Sequence, residues 1–148
     1  MKKVFTYVLL LVLTSGAMVQ AQVEWKYAAK KIGDKTYELR VTAEIDEPWK
    51  IYSQQTPQGG PLPTTFKFLS NPLVQLSGSV KEVGDLKIYH EEVFDVDVYA
   101  YEEKVEFVQV IKLNTNAKTN IRGTIEYMAC TNEQCLPPAT VSFVVTLE

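Results

Sequence analysis

The residues best suited to do chemistry are Cys130 and Cys135, the only two cysteines in this chain of 148 residues. Four residues separate them, and Pro137 and Pro138 follow soon after the second cysteine. A disulfide needs Cα atoms roughly 4.4–6.8 Å apart, and a tight turn over so short a segment allows that. The pair therefore either closes a small loop as a structural bridge or forms a disulfide that is opened during function.

The entropic stabilisation expected from so short a loop only partly distinguishes a structural bridge from a redox-active disulfide. Closing a loop of about six residues stabilises a fold by roughly 2 kcal/mol, against about 4 kcal/mol for a loop of some 60 residues. The sequence is 46% hydrophobic, so a core can form without help from such a small bridge. Spacing alone still favours a structural bridge, and a redox-active disulfide remains the alternative.

The first 21 residues have the features of a cleaved signal peptide. Lys2 and Lys3 form a positive start, residues 4–13 are mostly apolar, and residues 19–21 supply the small side chains needed for cleavage near Ala21. The apolar stretch is too short for a membrane-spanning helix, which needs roughly 20 residues. We therefore expect one exported domain over residues 22–148, in a compartment oxidising enough for a disulfide to persist.

Charge and composition narrow the range of ligands. The chain carries a net charge of −3 at pH 7, which becomes −5 when Lys2 and Lys3 leave with the signal peptide. Nucleic acids and anionic membranes attract proteins with clustered Lys and Arg, so neither is an expected partner. His90 is the only histidine, and two cysteines in one loop are an incomplete zinc set. We expect no bound metal and no cofactor.

Alternating apolar and polar residues predict strands along almost all of the chain after the signal peptide. The predicted strands cover residues 23–32, 36–46, 64–69, 74–83, 105–113, 121–127 and 141–147. The more uniformly apolar run 105–113 predicts a central strand with both faces covered. Seven or more short strands without an amphipathic helix predict an all-β, immunoglobulin-like β-sandwich.

The segment around the cysteines resembles the signature of a known family, the periplasmic N-terminal domain of the thiol:disulfide interchange protein DsbD. In that family a strand ends in a tyrosine and a cysteine follows two or three residues later. A short loop, a second cysteine, an apolar or aromatic residue and two prolines come next. Tyr127, Cys130, Cys135 and residues 136–138 match this order. Residues 49–53, 60–64 and 90–94 resemble three further stretches of the family in the right order.

The resemblance implies an exported thiol–disulfide exchange domain with an immunoglobulin-like fold. Such a domain accepts reducing equivalents from a membrane-embedded thiol electron carrier. It passes them to thioredoxin-like periplasmic proteins, including disulfide isomerases and factors of cytochrome c maturation. It would act as one component of a protein-disulfide reductase rather than as an independent catalyst. The alternative is a non-catalytic β-sandwich binding or adaptor module with a structural loop disulfide.

By the same resemblance, Cys130 and Cys135 form the redox pair, with Cys135 in the mixed disulfide and Cys130 resolving it. The implied cap and partner-binding residues are Tyr52, Glu92, Val93 and Phe94. Phe94 is the aromatic residue that covers the disulfide until a partner displaces it. A ring over the bond would slow adventitious reduction, because thiol exchange needs in-line access to a sulfur atom.

The sequence departs from the family pattern in several places. The intercysteine loop has four residues, where the best-known members have five. The cap reads Glu92–Val93–Phe94 instead of two acidic residues before the aromatic one. The sequence up to Glu148 contains no transmembrane carrier and no thioredoxin-like domain. If this is the whole gene product, we expect that the membrane donor is a separate protein or that the pathway differs.

Local charge offers little to activate a cysteine. No Lys, Arg or His lies between Gly123 and Glu148. Low-pKa thiolates usually rely on nearby cations or a helix N-terminus. We therefore expect a relay that more reactive thiols attack in its oxidised state, with Lys87 and His90 as the cations that the fold could bring close.

Overall fold

The segments with alternating apolar and polar residues form β-strands. The computed structural model describes residues 22–91 and 94–148, and these form eleven β-strands and no α-helix. The predicted signal peptide, residues 1–21, lies outside the described residues. The strands are β1 (Val23–Gly33), β2 (Thr36–Ile45), β3 (Lys50–Tyr52), β4 (Thr65–Phe68), β5 (Val74–Gly84), β6 (Lys87–Glu91), β7 (Val96–Tyr101), β8 (Lys104–Leu113), β9 (Thr119–Tyr127), β10 (Ala129–Cys130) and β11 (Ala139–Leu147).

The strands pair in three antiparallel sheets. The large sheet has the order β1-β2-β8-β5, the short-strand sheet β10-β3-β7-β6, and the three-stranded sheet β11-β9-β4. β9 leads almost directly into β10, so the second and third of these sheets are neighbours along the chain. Together they form the layer that packs against the large sheet, which confirms the predicted all-β sandwich.

The main core takes apolar side chains from all three sheets. Representative members are Leu39, Ile51, Tyr101, Phe107, Ile125 and Phe143. The ring centroid of Phe107 lies 5.0 Å from that of Phe66 and 6.0 Å from that of Trp25. Because aromatic rings bury large areas, this cluster dominates the apolar contribution to stability.

Strand β8 is central, as predicted, with β2 on one side and β5 on the other. Its residues alternate between the two faces of the large sheet. Val105, Phe107 and Ile111 are buried, whereas the intervening Glu106 and Val108 are partly exposed. The second face is therefore less covered than the apolar sequence predicts, because only one face of the large sheet packs on the opposite layer.

One carboxylate joins the large sheet to the short-strand sheet. Glu82 of β5 accepts hydrogen bonds from the Ser53 hydroxyl at 2.7 Å and from the Gln54 backbone N–H at 2.7 Å. It also accepts one from the Tyr101 hydroxyl at 2.8 Å. Burial and this last hydrogen bond both raise the pKa of Tyr101. The contacts fix the chain just after β3, where it leaves the short-strand sheet.

No stretch within residues 22–91 and 94–148 forms a helix of the length and hydropathy needed to span a bilayer.

Candidate functional site

The two cysteines face each other across a small hairpin that follows β9. The backbone N–H of Thr131 donates to the carbonyl of Gln134 at 2.7 Å, and that of Leu136 donates to the carbonyl of Ala129 at 2.9 Å. Cys130 and Cys135 form the antiparallel pair between these hydrogen bonds, and a disulfide joins them. Their Cα atoms are 4.0 Å apart, near the short spacing of about 4.5 Å typical of non-hydrogen-bonded pairs.

The tip of this hairpin is held by a threonine side chain. The Thr131 hydroxyl accepts hydrogen bonds from the backbone N–H groups of Glu133 and Gln134, both at 3.2 Å. Asn132 and Glu133 are exposed at the tip. Such local side-chain to backbone bonds favour tight turns, and they explain how four residues suffice to bring the cysteines together.

The two sulfur-bearing residues have opposite environments. Cys130 is only 1% exposed, whereas Cys135 is exposed to solvent. Cys130 lies on β10 within the sheet, and Cys135 lies on the returning arm of the hairpin at the surface. A partner thiol therefore reaches Cys135 before Cys130. The disulfide bond that it would break runs from the exposed Cys135 to the buried Cys130.

A small apolar cluster surrounds Cys130. It contains the fully buried side chains of Tyr52, Val98 and Ala100, and it is separate from the main core. Met128, Tyr89 and Val96 pack around its edge. The structure thus brings the predicted site residue Tyr52 into one cluster with Cys130.

Tyr52 experiences both burial and a neighbouring negative charge. Burial raises the pKa of the Tyr52 hydroxyl well above its usual range, and the Glu91 carboxylate raises it further. The ring therefore stays neutral throughout the pH range in which thiols exchange. Tyr52 acts here as an apolar wall with a polar tip.

The cation nearest to the site in the strand ladder is Lys50, which the sequence analysis did not propose. Lys50 on β3 is the register partner of Cys130 on β10, and it is only 4% exposed. Its Nζ atom lies 3.6 Å from Glu91 Oε1, 3.3 Å from Asn132 Oδ1 and 4.3 Å from the centre of the Tyr89 ring. Lysines are almost never fully buried unless paired, and no spacing in the sequence predicts that β3 will pair with β10.

The two cations named from the sequence make other contacts. Lys87 pairs with Asp85 at 3.2 Å, and both side chains are exposed. Exposed His90 has Nδ1 2.9 Å from Asp97 Oδ1 and Nε2 3.5 Å from Asp95 Oδ1. These pairs lie on exposed parts of the β6–β7 hairpin, so Lys50 is the buried cation of this region.

The predicted cap corresponds to the turn between β6 and β7. Phe94 lies in this turn, its backbone N–H donates to the carbonyl of Glu91 at 3.1 Å, and its side chain is 53% exposed. Asp95 follows with a left-handed backbone, φ 51°. The predicted cap residues Glu92 and Val93 lie outside the described residues. The role of Phe94 as a cover for the disulfide stays a prediction.

The same hairpin contributes to the wall of the cysteine cluster. Tyr89 of β6 packs against this cluster, and its hydroxyl donates to Glu102. That hydrogen bond, together with burial, raises the pKa of Tyr89 to about 12. The hairpin that carries the cap turn is therefore in direct contact with the surroundings of Cys130.

The family of this protein is identified by a match that covers almost the whole chain. A family model described as the N-terminal part of the thiol:disulfide interchange protein DsbD matches residues 16–147. The chain belongs to the DsbD N-terminal domain family. This confirms the resemblance drawn from the cysteine segment. No curated protein matches the chain in sequence.

Two solved structures are similar to this DsbD N-terminal family member. The N-terminal periplasmic domain of ScsB from Proteus mirabilis is 14% identical with a TM-score of 0.58, covering 86% of this chain and 47% of that one. The Neisseria meningitidis DsbD N-terminal domain in the reduced form is 14% identical with a TM-score of 0.55, covering 84% and 85%. The chain spans about half the length of the ScsB structure. The likeness confirms the predicted immunoglobulin-like β-sandwich.

Proposed function

We propose that this chain is an exported thiol–disulfide relay whose working group is the Cys130–Cys135 disulfide. It would accept reducing equivalents from a membrane-embedded thiol carrier and pass them to thioredoxin-like periplasmic proteins. Membership of the DsbD N-terminal domain family, together with the disulfide, supports exchange chemistry. The predicted signal peptide, cleaved near Ala21, supports export to the periplasm.

The observation that carries the proposal is the difference in exposure between the two cysteines. Thiol–disulfide exchange requires the attacking thiolate, the attacked sulfur and the leaving sulfur to approach a line. Because Cys135 is exposed and Cys130 is buried, Cys135 is the cysteine that a partner thiolate would reach once the proposed Phe94 cover is displaced. Attack at Cys130 would require entry through the cluster that contains Tyr52 and Val98.

The reductive half of the relay proceeds in two balanced steps. A donor thiolate attacks Cys135 Sγ, a new sulfur–sulfur bond forms between them, and Cys130 leaves as a thiolate. A second donor thiolate then attacks the donor sulfur of this mixed disulfide, and Cys135 leaves with its electron pair. The donor ends as a disulfide, and the relay holds two thiols after proton uptake.

The oxidative half reverses the roles. The Cys135 thiolate attacks an acceptor disulfide and forms a mixed disulfide, while one acceptor cysteine leaves as a thiolate. Cys130 then attacks Cys135 Sγ, which re-forms the internal bond and releases the second acceptor cysteine. The acceptor gains two electrons, and the relay returns to its disulfide form.

Phe94 would guard the oxidised form, together with Glu92 and Val93, which precede it in sequence. The turn connects β6 and β7, whose residues Tyr89 and Val96 pack at the edge of the Cys130 cluster. On this proposal Phe94→Ala increases the rate at which a small thiol such as dithiothreitol reduces the disulfide. An unchanged rate in a folded variant would remove the cap role.

A pair of single cysteine variants tests the order of attack. The partner is a thioredoxin variant that keeps only its attacking cysteine, activated as a mixed disulfide with thionitrobenzoate. Cys130→Ser should accumulate a covalent complex with it, because Cys135 displaces thionitrobenzoate and neither protein retains a resolving thiol. Cys135→Ser is the matched control and should give no such complex. Equal trapping by both variants would contradict the assignment of Cys135 as the attacked residue.

The redox potential separates a relay from the alternative, an adaptor module with a structural disulfide. Exchange-active disulfides fall between about −180 and −270 mV, whereas structural ones lie below about −300 mV. Titration of the folded protein against glutathione or thioredoxin, followed by thiol alkylation and mass spectrometry, measures the value. Reduction only on unfolding would support the adaptor module and overturn the relay.

A further inference from the structure

Lys50 occupies a position from which it can act on the sulfur of Cys130. The two residues are register partners in the β3–β10 ladder. Directly opposed residues of an antiparallel pair present their side chains on the same face, with Cβ atoms about 4.5–5.5 Å apart. A lysine that is 4% exposed and a cysteine that is 1% exposed thus share one buried environment.

The partners that Lys50 has in the oxidised protein leave it only partly neutralised. Its ammonium contacts the carboxylate of Glu91 at 3.6 Å, beyond ordinary hydrogen-bonding distance. Its other contacts, the Asn132 side-chain oxygen at 3.3 Å and the Tyr89 ring at 4.3 Å, carry no formal charge. The Glu91 side chain is itself 29% exposed, so water competes for it.

We propose that Lys50 stabilises the thiolate that Cys130 becomes when the disulfide opens. The inference rests on the proposed function and adds a named electrostatic partner to its first step. When a donor thiolate bonds to Cys135 Sγ, the electron pair of the broken bond passes to Cys130 Sγ. The positive charge of Lys50 then lies beside a new negative charge in a poorly solvated setting, where such pairs interact strongly.

The charged and titratable groups around this sulfur are few. Lys50 and Tyr52 come from β3, Tyr89 and Glu91 from β6, and Glu133 from the hairpin tip. Glu102, which accepts the hydrogen bond of Tyr89, follows β7. The neighbouring residues of β7 in the cluster, Val96, Val98 and Ala100, carry no charge. Among these described residues Lys50 is the single cation, and the carboxylates of Glu91 and, further away, Glu102 oppose it. Lys50 therefore favours the thiolate, and Glu91 disfavours it.

Lys50 also contacts two separate segments of the proposed site. Asn132 belongs to the intercysteine hairpin, and Glu91 ends the strand that leads into the cap turn. Opening the disulfide gives the ammonium a new anion and weakens its hold on these two contacts. The state of the sulfur is thereby coupled to the base of the cap turn.

The test measures the pKa of Cys130 in the reduced protein from its Cβ chemical shift. Lys50→Met keeps the apolar stem and removes the charge, so the pKa of Cys130 should rise by about one unit or more. Reduction of the oxidised variant by thioredoxin should slow by about threefold, since a poorer leaving group leaves more slowly. Lys50→Arg should restore both values toward those of the wild type.

Lys67→Met is the matched control, because it removes an exposed lysine from β4 in the three-stranded sheet. It makes the same change in net charge and should leave the pKa of Cys130 unchanged. If Lys50→Met folds and leaves that pKa within a few tenths of a unit, or if Lys67→Met shifts it equally, the inference is overturned.

Should Lys50→Met fail to fold, Glu91→Gln carries the test. Removing the opposing carboxylate should lower the pKa of Cys130, and an unchanged or raised value would overturn the inference. Failure of the proposed function gives a different result. In that case thioredoxin does not reduce the folded wild-type protein, whatever the pKa of Cys130 is in the variants.

Discussion

The large sheet and the short-strand sheet differ in how they are built and in what holds them. The large sheet has four strands of 10 or 11 residues, and burial alternates regularly along β2 and β8. The short-strand sheet has strands of two to six residues and contains a disulfide and a buried lysine. Apolar burial stabilises both sheets. The short-strand sheet is additionally held by specific polar and covalent contacts, which suits the proposed opening of its disulfide without unfolding of the large sheet.

The largest expected effect separates the two regions by stability. Phe107→Ala removes a fully buried ring that packs on Trp25 and Phe66, and should lower the free energy of unfolding by about 3–5 kcal/mol. Urea denaturation measures the loss. Val144→Ala, at an exposed position of β11, should cost less than about 0.5 kcal/mol. The redox potential of Cys130–Cys135 should not move in the folded Phe107 variant; a large shift would break the distinction between the regions.

The second-largest expected effect concerns Glu82, whose carboxylate links the large sheet to the short-strand sheet. Glu82→Ala leaves the Ser53 and Tyr101 hydroxyls and the Gln54 N–H without their shared acceptor, and should cost about 2–3 kcal/mol. Hydrogen exchange should accelerate at the amides of β3 and β7 more than at those of β2. Uniform acceleration across both sheets would mean that the short-strand sheet does not open separately.

Reduction of the disulfide should have an effect of about 2 kcal/mol, because the closed loop is only about six residues long. The measurement compares denaturant unfolding of the oxidised and reduced wild-type protein. Backbone amides of β2 and β8 should keep their protection in the reduced form. A loss above about 5 kcal/mol would assign the bridge a structural role and would sharpen the case for the adaptor module.

The smallest effect is a pH dependence confined to the large sheet. Hydrogen bonding to Arg40 holds the pKa of Glu106 below its usual value of 4.5. This pair therefore adds stability above pH 4.5, and the contribution is lost as the pH falls through the lower pKa of the folded state. Glu106→Gln should flatten the stability profile below pH 4.5, whereas Glu24→Gln at an exposed site should not. Thioredoxin exchange should be the same in both variants.

The sequence patterns predict the two regions unequally, and the reason is physical. β2, β8, β9 and β11 alternate over nine or ten residues, which is long enough for a period of two to be unmistakable. β3 and β10 have three and two residues, too few to display any period. Periodicity therefore predicts most of the scaffold and cannot predict β3 or β10, whose segments are indicated only by the family resemblance around Trp49 and the cysteines. The five and six residues of β6 and β7 lie at the lower limit for such a pattern, and the sequence analysis does not predict them.

Sequence patterns also predict local relations within the site better than long-range ones. The cysteine pair is local in sequence, so its closure could be predicted from spacing. The partnership of Lys50 with Cys130 joins residues 80 positions apart through a ladder of two residue pairs. A search for cations near the cysteines in sequence cannot find it. The family resemblance predicts Tyr52 as a site residue, because the matching family segment carries an aromatic residue on the corresponding strand.

The exposed tip of the cysteine hairpin has a consequence for how the internal bond re-forms. Thr131 holds the turn, and Asn132 at the tip accepts a hydrogen bond from the Lys50 ammonium. Each residue inserted at the tip would enlarge the ring that the disulfide closes. The effective concentration of one thiol at the other would then fall and the disulfide would re-form more slowly, although the entropic change per residue is small. The number of residues at the tip therefore sets the effective concentration of Cys130 toward a partner-bound Cys135, while β9 and β11 need not change at all.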